Sequence, residues 1–230
     1  MSSLYLIRHG QASLHSEDYD RLSPLGEEQC RLLAEHWLRL GVSFDRAVIG
    51  PRRRHRQSHD AARDVFAAAG RPWPEPEHSD QLDEHHGPQV LDTHRQLLDP
   101  GEAEEANGSF MQSYLRLFRL GMGRWARGEL ETPEPFEDWR RFRERARLGL
   151  EALADPPPPR GQRTAVFTSG GFVSAAVGAA MDLDDRRVLE LSFGMRNASV
   201  SEVRLHPEYG CAVVRINAVP FEERRLLTFV

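Results

Sequence analysis

Leu4-Tyr5-Leu6-Ile7-Arg8-His9-Gly10 is the stretch on which the fold turns. Four apolar residues run without a polar break, as in a strand buried on both faces. The run stops at two basic or titratable side chains and a glycine, which frees the backbone for a tight turn. The same punctuation recurs outward from this point. Ser23 can N-cap a helix, with Pro24 suited to its first position and Glu27 and Glu28 to the positive end of its dipole. Cys30, Leu33, Ala34 and Trp37 then share one face, and Gly41 ends the helix. Arg46–Ile49 reads as a second strand, followed by Gly50-Pro51 and an arginine-rich helix that ends near Gly70; residues 71–77 read as a proline-rich loop.

Further along, Trp139, Phe142, Ala146, Leu150 and Leu153 form one helical stripe, which Asp155 and four prolines stop. Arg163–Thr168 reads as a strand, Gly171–Met181 as a helix, and Ser199–Leu205 with Cys211–Asn217 as a hairpin pair. Strands separated by helices predict an α/β fold: three layers, α/β/α, with a mostly parallel central sheet flanked by helices. Residues 1–230 read as a single domain. A helical insertion at about 88–130 is expected to pack over the ligand-binding end of the sheet, with Phe110, Tyr114, Leu117, Phe118 and Trp125 at helical spacing. In open sheets of this kind ligands bind beyond the C-terminal strand ends. The turns Arg8-His9-Gly10 and Thr168-Ser169-Gly170-Gly171 are therefore expected at one crevice.

Composition narrows the function. The chain has 230 residues, 40% hydrophobic and 28% charged, with a formal net charge of −5. That balance fits a folded globule and argues against a protein that coats nucleic acid or an anionic membrane. The short run Arg52–Arg56 reads as a solvated face. All 30 basic residues are arginine, so Schiff-base, P-loop and lysine-base chemistry are excluded. Cys30 and Cys211 are the only cysteines, too few for a disulfide framework or a zinc cluster; they read as inert thiols in a reducing compartment. Thr164–Met181 carries no charge, but its central Ser-Gly-Gly reads as strand, turn and helix, not as a membrane span. With no signal-peptide pattern at the start, the expected location is cytoplasmic.

Arg-His-Gly after a buried strand suits phosphoryl transfer. Neutral imidazole is a competent nucleophile toward phosphorus, arginine grips phosphate through paired N–H groups, and glycine lets backbone amides approach an oxyanion. Leu6-Ile7-Arg8-His9-Gly10-Gln11-Ala12-Ser13, followed by Tyr19–Gln29, resembles the opening of the histidine phosphatase (phosphoglycerate mutase-like) superfamily. Gly50–Ser58 is similar to that family's second arginine segment, Leu82–Gly87 to its acid loop, residues 136–153 to the helix before its last motif, and Thr164–Gly171 to the last motif itself.

The resemblance implies a metal-independent phosphatase, without a cofactor, hydrolysing a phosphomonoester through a phosphohistidine on His9. It places Glu84 as proton donor and Arg8 and Arg54 as clamps on the phosphoryl oxygens. Its partner would be a small phosphorylated substrate or a phosphoprotein; oligomeric state and substrate identity are not readable. The longer basic insertion of glycolytic mutases is not seen, which favours hydrolysis over transfer. Two departures stand out. Ser169 occupies the position of the family's second histidine; its hydroxyl, with the N–H groups of Gly170 and Gly171, can still bond a phosphate oxygen. His15 lies near the place of a phosphate-contacting asparagine and, like His85 and His86, is either a substitute contact or a surface histidine. Loss of a charged partner at 169 leaves a non-catalytic or weakly active phosphate-binding module as an alternative. A further alternative is a serine hydrolase with Ser169 as nucleophile and Asp184 and His206 following in triad order, although Phe167 is large for such an elbow.

Overall fold

A computed structural model describes residues 1–13, 20–98, 110–206 and 210–229. In chain order the elements are β1 (Ser2–Arg8), α1 (Pro24–Arg39), β2 (Arg46–Ile49), α2 (Arg53–Ala68), β3 (Pro76–His78), α3 (Gly87–Gln96), α4 (Phe110–Ala126), α5 (Trp139–Ala154), β4 (Arg163–Thr168), α6 (Gly170–Ala180), α7 (Asp185–Gly194), β5 (Val200–His206) and β6 (Gly210–Ala218). The expected mostly parallel sheet is present. Its order is β3-β2-β4-β1-β5-β6; β3, β2, β4 and β1 run parallel, and β5 and β6 form the antiparallel hairpin at one side.

Side-chain alternation along the central strands builds the three layers, because successive residues face opposite sides of a sheet. Leu4, Leu6, Val48 and Val166 join a core with Phe142, Leu150 and Leu153 of α5 and Phe172, Val173 and Ala176 of α6. Ile7, Ile49, Ala165 and Phe167 point the other way, onto Leu33, Ala34 and Trp37 of α1 and Ala62 and Phe66 of α2. The pairing Arg8↔Thr168 aligns the ends of β1 and β4, so His9 and Ser169 leave the sheet at the same edge.

Ser23 caps α1 as expected, its side chain accepting from the Gly26 amide at 3.1 Å. The start of that helix lies hard against the turn after β1. A Cβ at Gly10 would stand 2.3 Å from the Gly26 carbonyl oxygen, and one at Gly26 would stand 2.2 Å from that of Gln11. Both clashes are with backbone, so no rotamer change relieves them. Gly26→Ala is expected to cost about 3 kcal/mol, the upper range for overpacking. In a chain of this size that is a fall in Tm of roughly 6–12 °C, measurable by thermal denaturation.

Three elements depart from the sequence reading. The proline-rich loop yields a short strand at residues 76–78, mostly exposed and lacking a hydrophobic pattern. Helix α7 is polar, with only Val188 and Leu189 buried, and gives a weak periodic signal. The 88–130 segment is helical, but its second helix is more than a cover: Met122 and Trp125 are fully buried in the main core. Phe110 has no side chain among the described positions. Among the described residues no helix is long and apolar enough to cross a membrane.

Candidate active site

His9 follows β1 directly, and two backbone bonds hold it there. Its amide donates to the Thr168 carbonyl at 2.9 Å, and its carbonyl accepts from the amide of Ala198 at 3.1 Å. Asn197 Nδ2 donates to the same carbonyl at 3.3 Å. The ring is buried, with Nδ1 donating to the Gly10 carbonyl at 2.6 Å. That bond fixes the proton on Nδ1 and leaves Nε2 with its lone pair. Burial first, then the Arg54 and Arg8 guanidinium groups, push the imidazole well below its usual titration range. His9 is thus neutral at physiological pH.

The second arginine segment opens α2 and brings three groups to the same end. Arg54 is 7% exposed, with Nη1 on Asp20 at 2.8 Å and Nη2 on Ser169 Oγ at 3.4 Å. Asp20 also accepts from the Arg53 amide, so it fixes the start of the helix and the guanidinium together. Ser58, one turn on, accepts from the Gly10 amide at 3.1 Å and donates to the Arg54 carbonyl at 2.7 Å. His55 is fully buried, with Nε2 at 2.6 Å from Ser169 Oγ and its ring 5.9 Å from that of His9.

Ser169 begins α6 but does not cap it with its side chain. The two glycines that follow have distinct uses. A Cβ at Gly170 would lie 3.2 Å from Arg8 Cδ and Nε, so the bare backbone makes room for that arginine. The Gly171 amide donates to Glu84 Oε2 at 3.0 Å, and a Cβ there would sit 2.0 Å from Glu84 Oε1. The Gly171 N–H that the sequence assigned to phosphate is therefore already engaged by a carboxylate. Arg8 turns its Nη1 onto the Met195 carbonyl.

The acid loop is held from several sides. Arg52 pairs with Asp83 through Nε at 2.5 Å and Nη2 at 3.1 Å, and Asp83 accepts from the Glu84 amide at 2.7 Å. Arg145 of α5 donates to the carbonyls of Gln81 and Asp83, and Thr168 Oγ1 to that of Leu82. Burial alone would raise the Glu84 pKa. Nearby His85, the Gly171 amide and Arg54 outweigh it, and the carboxyl is held below its usual range. Sequence reasoning required apolar burial for Glu84 to keep a proton; here it is half-buried and ionised, because it sits on a helix N-terminus near the Arg54 guanidinium.

Both neighbouring histidines are only partly exposed. The His85 ring centroid lies 5.5 Å from that of Trp125 and 5.4 Å from that of Phe142, with Nε2 3.6 Å from Glu84 Oε1. His86 packs on Phe136 at 4.9 Å. His15 lies outside the described residues. The serine-hydrolase trio does not assemble. Asp184 caps α7, and His206 ends β5, which runs antiparallel to β1 and so finishes at the opposite edge of the sheet. Cys30 is inert, its thiol pushed up to about 11 by burial. Sequence reasoning missed His55, Ser58, Asp20 and Asn197; the first three lie inside segments singled out above, and Asn197 carried no signal.

The site thus gathers a neutral imidazole, two guanidinium groups, a serine hydroxyl and a carboxylate. Among the described residues no group of three or more His, Cys, Asp or Glu is placed to hold a metal. Comparison with known proteins agrees with the motif order. The profile of the histidine phosphatase superfamily, branch 1, matches residues 4–219. No curated protein matches the sequence. Among solved structures, a mycobacterial glucosyl-3-phosphoglycerate phosphatase is 23% identical, with 94% of this chain and 99% of that one covered at a TM-score of 0.61. A phosphoserine phosphatase mutant from Entamoeba histolytica, in complex with phosphoserine, is 14% identical over 95% and 98% at 0.62. A phosphoglycerate mutase from Bacillus anthracis is 16% identical over 94% and 92% at 0.64.

Proposed function

Because this chain belongs to the histidine phosphatase superfamily, branch 1, we propose that it hydrolyses a phosphomonoester through a phosphohistidine on His9. The observation that carries this reading is the buried, neutral imidazole whose Nδ1 proton is fixed by Gly10, between the Arg8 and Arg54 guanidinium groups. His9 Nε2 attacks phosphorus and the ester P–O bond breaks. Arg8 and Arg54 balance the charge on the non-bridging oxygens, where positive groups act most strongly in a buried site. The leaving alkoxide takes a proton from Glu84. Water then attacks the phosphohistidine, gives its proton to the Glu84 carboxylate, and releases phosphate and free His9. A small phosphorylated alcohol is the substrate class that this arrangement fits.

Glu84 must arrive protonated, although it is ionised in the free site. A phosphoryl group brings negative charge close to the carboxylate, which raises its proton affinity. The substrate complex therefore takes up a proton, and kcat for an alkyl phosphate is expected to rise as pH falls from 8. His9 does not supply this rise: its pKa is pushed below the usual value, and protonating it would remove the attacking lone pair, an effect of opposite sign. The test is metal-free phosphate release from alkyl and aryl phosphates across pH, with alkali-quenched protein assayed for an acid-labile, base-stable phosphoryl group. A profile for alkyl phosphates that climbs toward pH 8 would remove Glu84 as donor. Stabilisation by phosphate without turnover would leave a binding module instead.

A further inference from the structure

Ser169 is wholly buried, at the start of α6, in a site that handles anions. Its hydroxyl does not cap its own helix. Two nitrogen groups converge on Oγ: Arg54 Nη2 at 3.4 Å and His55 Nε2 at 2.6 Å. A hydroxyl has one proton and two lone pairs. Arginine can only donate, so it fills one lone pair. Apart from His55 Nε2, no acceptor for the hydroxyl proton lies within hydrogen-bond distance among the described residues.

The direction of the remaining bond is decided by what enters the site. A phosphoryl oxygen offers only lone pairs, so Ser169 must donate to it, and His55 must then donate through Nε2–H to the second lone pair of Oγ. We propose that His55 is a positioning residue of this site, directing the Ser169 hydroxyl proton at a phosphoryl oxygen through its contact with Oγ. The proposal rests on the phosphatase reading above. Residues 55 and 169 then act as one unit, at the position where the resemblance expects a single histidine.

Two further observations support the unit. The His55 ring has room only because residue 50 is glycine: a Cβ there would stand 2.5 Å from Nδ1. Burial first, then Arg54 and Arg52, outweigh a backbone contact with Gly50 and push His55 well below its usual range, so it enters the resting site neutral, with a single ring proton. When negative charge builds on the phosphoryl oxygens, the polarisable ring behind the hydroxyl strengthens its donation, as linked hydrogen bonds do in a low-dielectric site.

The experiment is a double-mutant cycle on an aryl phosphate, with kcat and KM read separately and Tm measured for each protein. His55→Ala and Ser169→Ala are each expected to lower kcat by about 10- to 100-fold with a smaller effect on KM, the range for loss of one oriented donor. The double variant is expected to be no slower than the slower single one, because residues acting as a unit are not additive. His55→Gln, which keeps an N–H near the Nε2 position, is expected to recover most of the lost kcat at the Tm of His55→Ala; a purely structural role would show no such recovery. It also supplies the comparison if the alanine variant fails to fold.

Independent, multiplicative losses from the two single variants, or a His55→Ala protein with wild-type kcat, would overturn the proposal and leave the phosphatase reading intact. No turnover by the wild-type protein would overturn both. Turnover that persists in His9→Ala but vanishes on Ser169→Ala would also overturn both, assigning the nucleophile to the serine.

Discussion

Alanine at His9 is expected to cut phosphate release by about 10⁴-fold or more, the scale on which removal of a covalent nucleophile acts. The loss is expected in kcat, and the acid-labile phosphoryl group should be absent from the quenched protein. Binding of inorganic phosphate should survive, since Arg8 and Arg54 are anchored elsewhere, on Met195 and on Asp20. The fold should survive as well. The His9 ring gives one hydrogen bond, to the adjacent carbonyl, while its backbone makes the contacts to β4 and to Ala198. A His9→Ala protein that melts like wild type and binds phosphate, yet turns over at more than a few per cent of the wild-type rate, would exclude the phosphohistidine route.

The second large effect belongs to a residue that performs no chemistry. Gly171→Ala places a methyl group 2.0 Å from Glu84 Oε1, on the space that the carboxylate fills. The side chain must leave the amide that holds it, and the proposed proton donor is displaced without being mutated. General acid catalysis contributes about 10²–10⁴-fold, so kcat on an alkyl phosphate is expected to fall by that range, as for Glu84→Gln. On a nitrophenyl ester, whose leaving group needs no proton, both variants should lose far less in the phosphoryl-transfer step. The contrast between the two esters is the measurement. An equal loss on both would mean that Gly171→Ala damages the phosphate cradle and not the donor. The same methyl would stand 2.7 Å from His85 Cδ2, a ring packed on Trp125 and Phe142, so some fall in Tm is expected as well, and the ester contrast, not Tm, separates the two explanations.

The two variants also mark what a reader of the sequence could and could not obtain. Leu4–Ile7, Arg46–Ile49 and Arg163–Thr168 are buried strands flanked by glycine or proline, so their periodicity and punctuation were legible almost to the residue. The stripe of α5 was equally plain: its five named residues are all buried. Strand β3 was not legible, because three edge residues, two of them exposed, leave no hydrophobic trace, and α7 was not, because it buries so little.

At the site, the motifs named His9, Arg8, Arg54, Glu84 and Ser169 but not their mutual arrangement. That Glu84 rests on the Gly171 amide depends on residues 87 positions apart. That His85 packs against Trp125 depends on the path of a segment whose sequence reads as variable cover. His55 sat inside a quoted motif and was passed over, since three arginines before it and one after made the run look solvated. Its fate was set by the turn of α2, which sends Arg54 and His55 inward and Arg53 and Arg56 outward.

The strand order holds one further consequence, for how the protein is made. Strand β1 leads directly into His9 and lies between β4 and β5, so its neighbours are complete only when residues 163–206 have been synthesised. At translation speeds of about 5–20 residues per second, β1 waits roughly 10–40 s for its last partner. Throughout that interval Leu4, Leu6 and Ile7 have nothing permanent to pair with, and an unpaired hydrophobic strand is a template for wrong contacts. The turn at His9 thus leaves the ribosome well before its setting can form, and it takes its final shape only after β4 and β5 have followed.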